Sequence, residues 1–113
     1  MAYSVFVKYV LEDYRSFKMN LEGDALEHIQ NKHSEITIDE IQYALLDPDE
    51  VRKSINVNPS SKCTVEIYYV RKDISKIRYT QVVVKFCPGG NFIVTAMTTN
   101  KIKSGDVIYK REE

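Results

Sequence analysis

The chain has two histidines, and both fall in one short window, His28-Ile29-Gln30-Asn31-Lys32-His33. Histidine is the side chain best suited to moving protons near neutral pH, and two of them allow one to act as base and the other as acid. Metal-independent cleavage of RNA needs this division of labour. A base takes the proton from the ribose 2′-OH, which attacks the adjacent phosphorus, and an acid protonates the departing 5′-oxygen. A cation steadies the charge on the phosphoryl oxygens. Five residues of unbroken helix turn through about 500°, which would leave the two rings roughly 140° apart. They share a site only if the helix ends near Asn31 and His33 swings back; otherwise they are ordinary surface or structural histidines.

A cation and a hydroxyl are available in the second half of the chain. Lys85 interrupts the apolar run VVVKFC, where an unpaired buried ammonium would be costly. Strand alternation puts it on the face of Val83, opposite Val82, Val84 and Phe86. It is either a solvent-facing lysine or a phosphate-binding cation on the open face of a sheet. Across the turn Pro88-Gly89-Gly90-Asn91 lies Thr95. Hairpin pairs whose numbers sum to 180 would set Lys85 opposite Thr95; a sum of 179 would pair it with Val94, and turn length does not decide between them. Thr98 and Thr99 offer further hydroxyls, although threonine is also a common strand former. Tyr68, Tyr69 and Tyr79 interleave with Arg71, Lys72, Lys76 and Arg78. Aromatics among cations suit single-stranded RNA, where bases stack and phosphates pair with charge. They also suit the rim of a tyrosine-lined core.

Other chemistries find little support. The sequence has no GxGxxG, GxxxxGK[ST], GxSxG or HExxH, and no cofactor or metal is expected. Cys63 and Cys87 have no CxxC neighbour. They read as two buried free thiols of a reducing, cytoplasmic compartment, with a disulfide or metal role as the lesser alternative. No signal peptide is expected at the N-terminus, and no apolar run approaches the ~20 residues of a membrane helix.

The elements that must position these groups can be read from pattern. A length of 113 residues suits one domain, and 43% hydrophobic with 28% charged residues is an ordinary globular balance. Net charge is zero, but residues 1–60 hold 6 Lys+Arg against 11 Asp+Glu, whereas residues 61–113 hold 10 against 5. A polyanion should therefore meet the second half. Residues 3–11 alternate as a strand, and 14–20 suggest a second. Asp24 is a candidate N-cap for a helix to about residue 32. Thr37-Ile38-Asp39-Glu40 is a capping box opening a helix to about 46. Asp47-Pro48-Asp49-Glu50 reads as a further helical turn with Pro at its first position. The bridge 56–62 is turn-rich. Strands follow at 63–72, 76–87, 92–99 and 106–110. Helices segregated from an antiparallel meander give an α+β domain.

Taken together, EHIQNKHSEITIDEIQYALLDPDEV, EIYYVRK, YTQVVVKF and NFIVTAMTT resemble the phage-associated nuclease families of the barnase–EndoU–colicin–RelE-like superfold. The resemblance covers roughly residues 21–109. It implies an N-terminal strand and two to three helices on a four-stranded antiparallel sheet, and metal-independent RNA cleavage deployed as a toxin. Carried over by position, His28 and His33 match the motif histidines, Thr95 the late-strand hydroxyl, and Lys85 the basic residue of the preceding strand. The substrate side would use Tyr69, Arg71, Lys72, Arg78 and Thr98. The implied partners are RNA, either tRNA or mRNA, and an antitoxin or immunity protein, with neither DNA nor membrane. Ser34 stands where the pattern has Pro, and Met97 where it has an aromatic ring. The alternative from another class is a non-catalytic RNA-binding or protein-interaction module on the same fold.

Overall fold

The structure, a computed structural model, describes residues 8–54, 65–73 and 78–111. The start of the first expected strand, the bridge 56–62, Cys63 and Lys76 lie outside the described residues. Within them the chain forms β1 (Lys8–Glu12), β2 (Lys18–Glu22), α1 (Gly23–Lys32), α2 (Ile38–Leu46), β3 (Glu50–Lys53), β4 (Val65–Asp73), β5 (Arg78–Cys87), β6 (Gly90–Thr99) and β7 (Asp106–Lys110). The α+β class is as expected. The sheet, however, has seven strands and not four, in the order β1-β2-β6-β5-β4-β3-β7. Neighbours are antiparallel except for β2 beside β6.

Both helices lie on one face, α1 over β2 and β6, and α2 over β1, β4 and β5. Alternation sends Leu11, Met19, Leu21, Val51, Ile67, Tyr69, Val82, Val84, Ile93 and Ala96 to that face, where they meet Ile29, Ile41, Ala44 and Leu45. Each large side chain sealed there contributes about 1.5–3 kcal/mol. The capping box of α2 is present: Glu40 N–H donates to Thr37 Oγ1, and Thr37 N–H to Glu40 Oε1. α1 begins one residue before the expected cap. Glu22 occupies the N-cap position without a side-chain cap, and Asp24 sits in the first turn.

The expected third helical turn is replaced by β3. Asp49 N–H donates to Val70 O at 2.8 Å, and Asp49 O accepts from Arg111 N–H at 2.9 Å. With backbone partners on both sides, the segment gains two ladder bonds that one helical turn could not offer. Two cations fix its entry: Arg71 and Arg111 both bind the Asp47 carboxylate, at 3.0 and 2.8 Å. The β1–β2 turn is held from within. Buried Asp13 accepts from the N–H groups of Arg15 and Phe17, each at 2.9 Å, and from Tyr69 O–H at 2.8 Å.

The face away from the helices is only partly open. From β6 the chain must reach β7 across β5, β4 and β3, roughly 19 Å at ~4.8 Å per strand. The six residues 100–105, extended, span about 20 Å. This strap crosses the second face. Lys103 N–H donates to Gln81 Oε1 at 2.9 Å, Lys103 O accepts from Arg52 Nη1 at 3.2 Å, and the Lys103 ammonium sits 5.6 Å from the Tyr68 ring centroid. Tyr68, Val70, Gln81 and Val83 are buried here although they face away from the helical core. Gln81 is satisfied at both ends, since Nε2 also donates to Met97 Sδ at 3.6 Å.

The thiol expectation is corrected. Cys87 is disulfide-bonded, so the inference from free thiols to a reducing compartment loses its ground. No helix among the described residues is long and apolar enough to cross a membrane.

Candidate active site at the end of helix α1

α1 ends at Lys32, and His33 is its C-cap, with φ −136° and ψ 55°. His33 N–H still donates to Ile29 O at 2.7 Å, and His33 O accepts from Ile36 N–H at 3.1 Å, closing a tight turn. Leaving helical geometry at this residue brings the rings together. The His28 and His33 centroids lie 5.9 Å apart, edge to face at 71°. His28 is exposed and His33 half-buried. The condition on the helix end is met, and the two imidazoles are neighbours.

The turn after His33 adds a carboxylate. Glu35 Oε2 accepts from Thr98 N–H at 3.3 Å, tying the helix end to β6. Hydrogen bonds from its own backbone N–H and from Thr98, with the charges of His33 and Arg78 nearby, hold the Glu35 carboxyl below its ordinary value of 4.5; slight burial works the other way. Thr98 lies opposite Thr80 and so faces the helices, and its Oγ1 is buried without a hydrogen-bond partner. The corner thus joins His28, His33, Glu35, Arg78 and Thr98. Glu35 went unread in the sequence, although a carboxylate two residues past the second histidine was the available signal.

Lys85 and Thr95 do not join this corner. Lys85 lies opposite Phe92, a pair summing to neither 180 nor 179, and opposite Glu66 on its other side. In that register Thr95 would face the helices. A bulge between Val83 and Val84 takes up one extra residue of β6, and Thr95 instead lies opposite Val83, on the face away from the helices. Lys85 and Thr95 are therefore one sheet thickness from the histidines. The expected four-residue centre is divided between two faces.

The expected substrate-side residues also scatter. Tyr69 is fully buried and is no stacking platform. Burial, together with its hydrogen bond to Asp13 and that carboxylate's charge, pushes its phenol far above the ordinary value. Arg71 is engaged by Asp47 and lies 5.2 Å from the Tyr43 ring centroid. Lys72 is exposed on the second face, opposite Tyr79. Only Arg78 and Thr98 accompany the histidines. No group of three or more potential metal-ligating side chains occurs among the described residues.

Searches of known families, of characterised proteins and of solved structures return no match for this chain. The reading of the site rests on its own residues.

Proposed function

We propose that this chain is a metal-independent ribonuclease of toxin type whose centre is the α1–β6 corner. The observation that carries the reading is the 5.9 Å approach of His28 and His33 beside an anchored carboxylate. One imidazole takes the 2′-OH proton while the other protonates the 5′-oxygen. Arg78 replaces Lys85 as the cation meeting charge on the phosphoryl oxygens, and Thr98 serves through its backbone N–H, which holds Glu35. Glu35 is a positioning residue that ties the turn after His33 to β6 through Thr98 N–H. A tRNA or mRNA is the substrate this reading calls for, with an antitoxin or immunity protein as its controlling partner.

The test is cleavage of RNA by the purified protein in EDTA. Activity should survive chelation, rise and fall across the pH range in which imidazoles titrate, and drop about 10²–10⁴-fold in His28→Ala and His33→Ala. Glu35→Gln, which weakens the tie to Thr98 but leaves both imidazoles in place, should lower the rate less than either histidine substitution. Absence of cleavage by folded wild-type protein, or equal rates in the histidine variants, would overturn the reading.

The separation of Lys85 and Thr95 from the histidines favours a second reading, a non-catalytic RNA-binding module. It calls for salt-sensitive RNA binding that survives both histidine substitutions and weakens in Arg71, Lys72 or Arg78 variants.

A further inference from the structure

The second face of the sheet holds a cavity of about 350 Å³ lined by Asp49, Glu50, Arg52, Val70, Lys72, Tyr79, Ile102, Lys110 and Arg111. Its walls come from β3, β4, β5, β7 and the strap. Register explains the convergence: Lys72 lies opposite Tyr79, and Glu50 opposite both Val70 and Lys110. Its volume is at the lower end of small-ligand sites, ~300–1,000 Å³.

The charges of the lining are not balanced. Arg52 Nε binds Glu50 at 2.6 Å, and Arg111 binds Asp47 and Asp49. Asp49 Oδ2 is further occupied by Lys72 N–H at 2.6 Å. These contacts account for both carboxylates of the lining. The ammonium groups of Lys72 and Lys110 have no ion-pair partner among the described residues. Arg111 Nε is buried with no hydrogen-bond acceptor, its nearest carboxylate oxygen standing at 3.6 Å. The excess of two positive charges matches a phosphate monoester, which carries about −1.5 to −2 at neutral pH. Half-buried Tyr79 and Ile102 supply aromatic and apolar surface that bare phosphate cannot use but a base can.

We propose that this cavity binds a mononucleotide, with its phosphate against Lys72, Lys110 and Arg111 and its base against Tyr79 and Ile102. The site lies across the sheet from the histidine corner and does not depend on the ribonuclease reading.

The experiment is titration of the whole chain with adenosine 5′-monophosphate, followed by calorimetry and by backbone amide shifts. Inorganic phosphate and adenosine are titrated separately. AMP should saturate one site and bind more tightly than either fragment. Shifts should fall on Lys72, Tyr79, Ile102 and Lys110, and not on His33 or Glu35. Affinity should fall about tenfold in Lys72→Gln and in Lys110→Gln, both on exposed side chains whose loss leaves the fold intact. It should be unchanged in Lys85→Gln, on the same face but outside the cavity. No saturable AMP binding, or binding undiminished in both lysine variants, overturns the proposal. AMP shifts confined to His33 and Glu35 overturn it as well, and leave the ribonuclease reading standing.

Discussion

Two side chains carry more of this molecule than their types announce. Tyr69 spans the core to donate to Asp13, which in turn holds the β1–β2 turn. Tyr69→Phe should cost about 1–3 kcal/mol, because the buried carboxylate loses a donor. The phenol titrates far above its ordinary 10.0 in the folded chain, so only the unfolded chain releases that proton near pH 10. Stability from this group is complete below pH 10 and falls as pH rises beyond it. Urea midpoints taken between pH 9 and 11 should therefore decline in the wild type and decline less in Tyr69→Phe. Glu35 has the opposite sign. Its folded value is lowered, so its contribution is present above about pH 4.5 and lost as pH falls through the folded value. Glu35→Gln should flatten acid unfolding below pH 4.5, a small effect for an exposed carboxyl and measurable by the same titration.

At the level of elements, local signals succeeded where the chain satisfies itself. The α2 capping box closes through bonds within four residues, and Thr37→Ala should lower stability by about 1 kcal/mol in thermal unfolding. The strap depends on distant backbone. A Cβ on Gly105 would stand 2.6 Å from Lys53 O, closer than atoms tolerate. Gly105→Ala should force the strap away from β3 at a cost of about 1–3 kcal/mol. Amide exchange should then speed up at Lys103, whose N–H is held by Gln81, before it does in α2. Gly90, at φ +146°, serves the β5–β6 turn in the same way, in a region that other residues rarely adopt.

Over the whole molecule, the sheet is a partition. Its helical face carries the histidine corner, and its second face carries the strap and the cationic cavity. Groups more than 7–10 Å apart with no shared partner act additively. His33→Ala and Lys72→Gln should then combine in RNA cleavage with a coupling below about 0.5 kcal/mol. A larger coupling would mean that one bound strand engages both faces.

Alternation, the capping box and the Pro-Gly-Gly turn were enough to read the α+β class, α2 and the four late strands, because each signal is local. The nearness of His28 and His33 was legible as a condition on where α1 ends. Other features were decided only by tertiary structure. Asp47-Pro48-Asp49 carries a sound helix-start pattern, yet β4 and Arg111 recruited Asp49 into backbone bonding because two ladder partners outweigh a single turn. One bulged residue in β6 set which face Thr95 occupies, since side chains alternate with a period of two and any insertion reverses them. The join of Glu35 to Thr98 and Arg78, and the cavity beside Tyr79, depend on chain segments far apart in sequence, whose meeting is fixed by packing and not by any spacing that could be read along the chain.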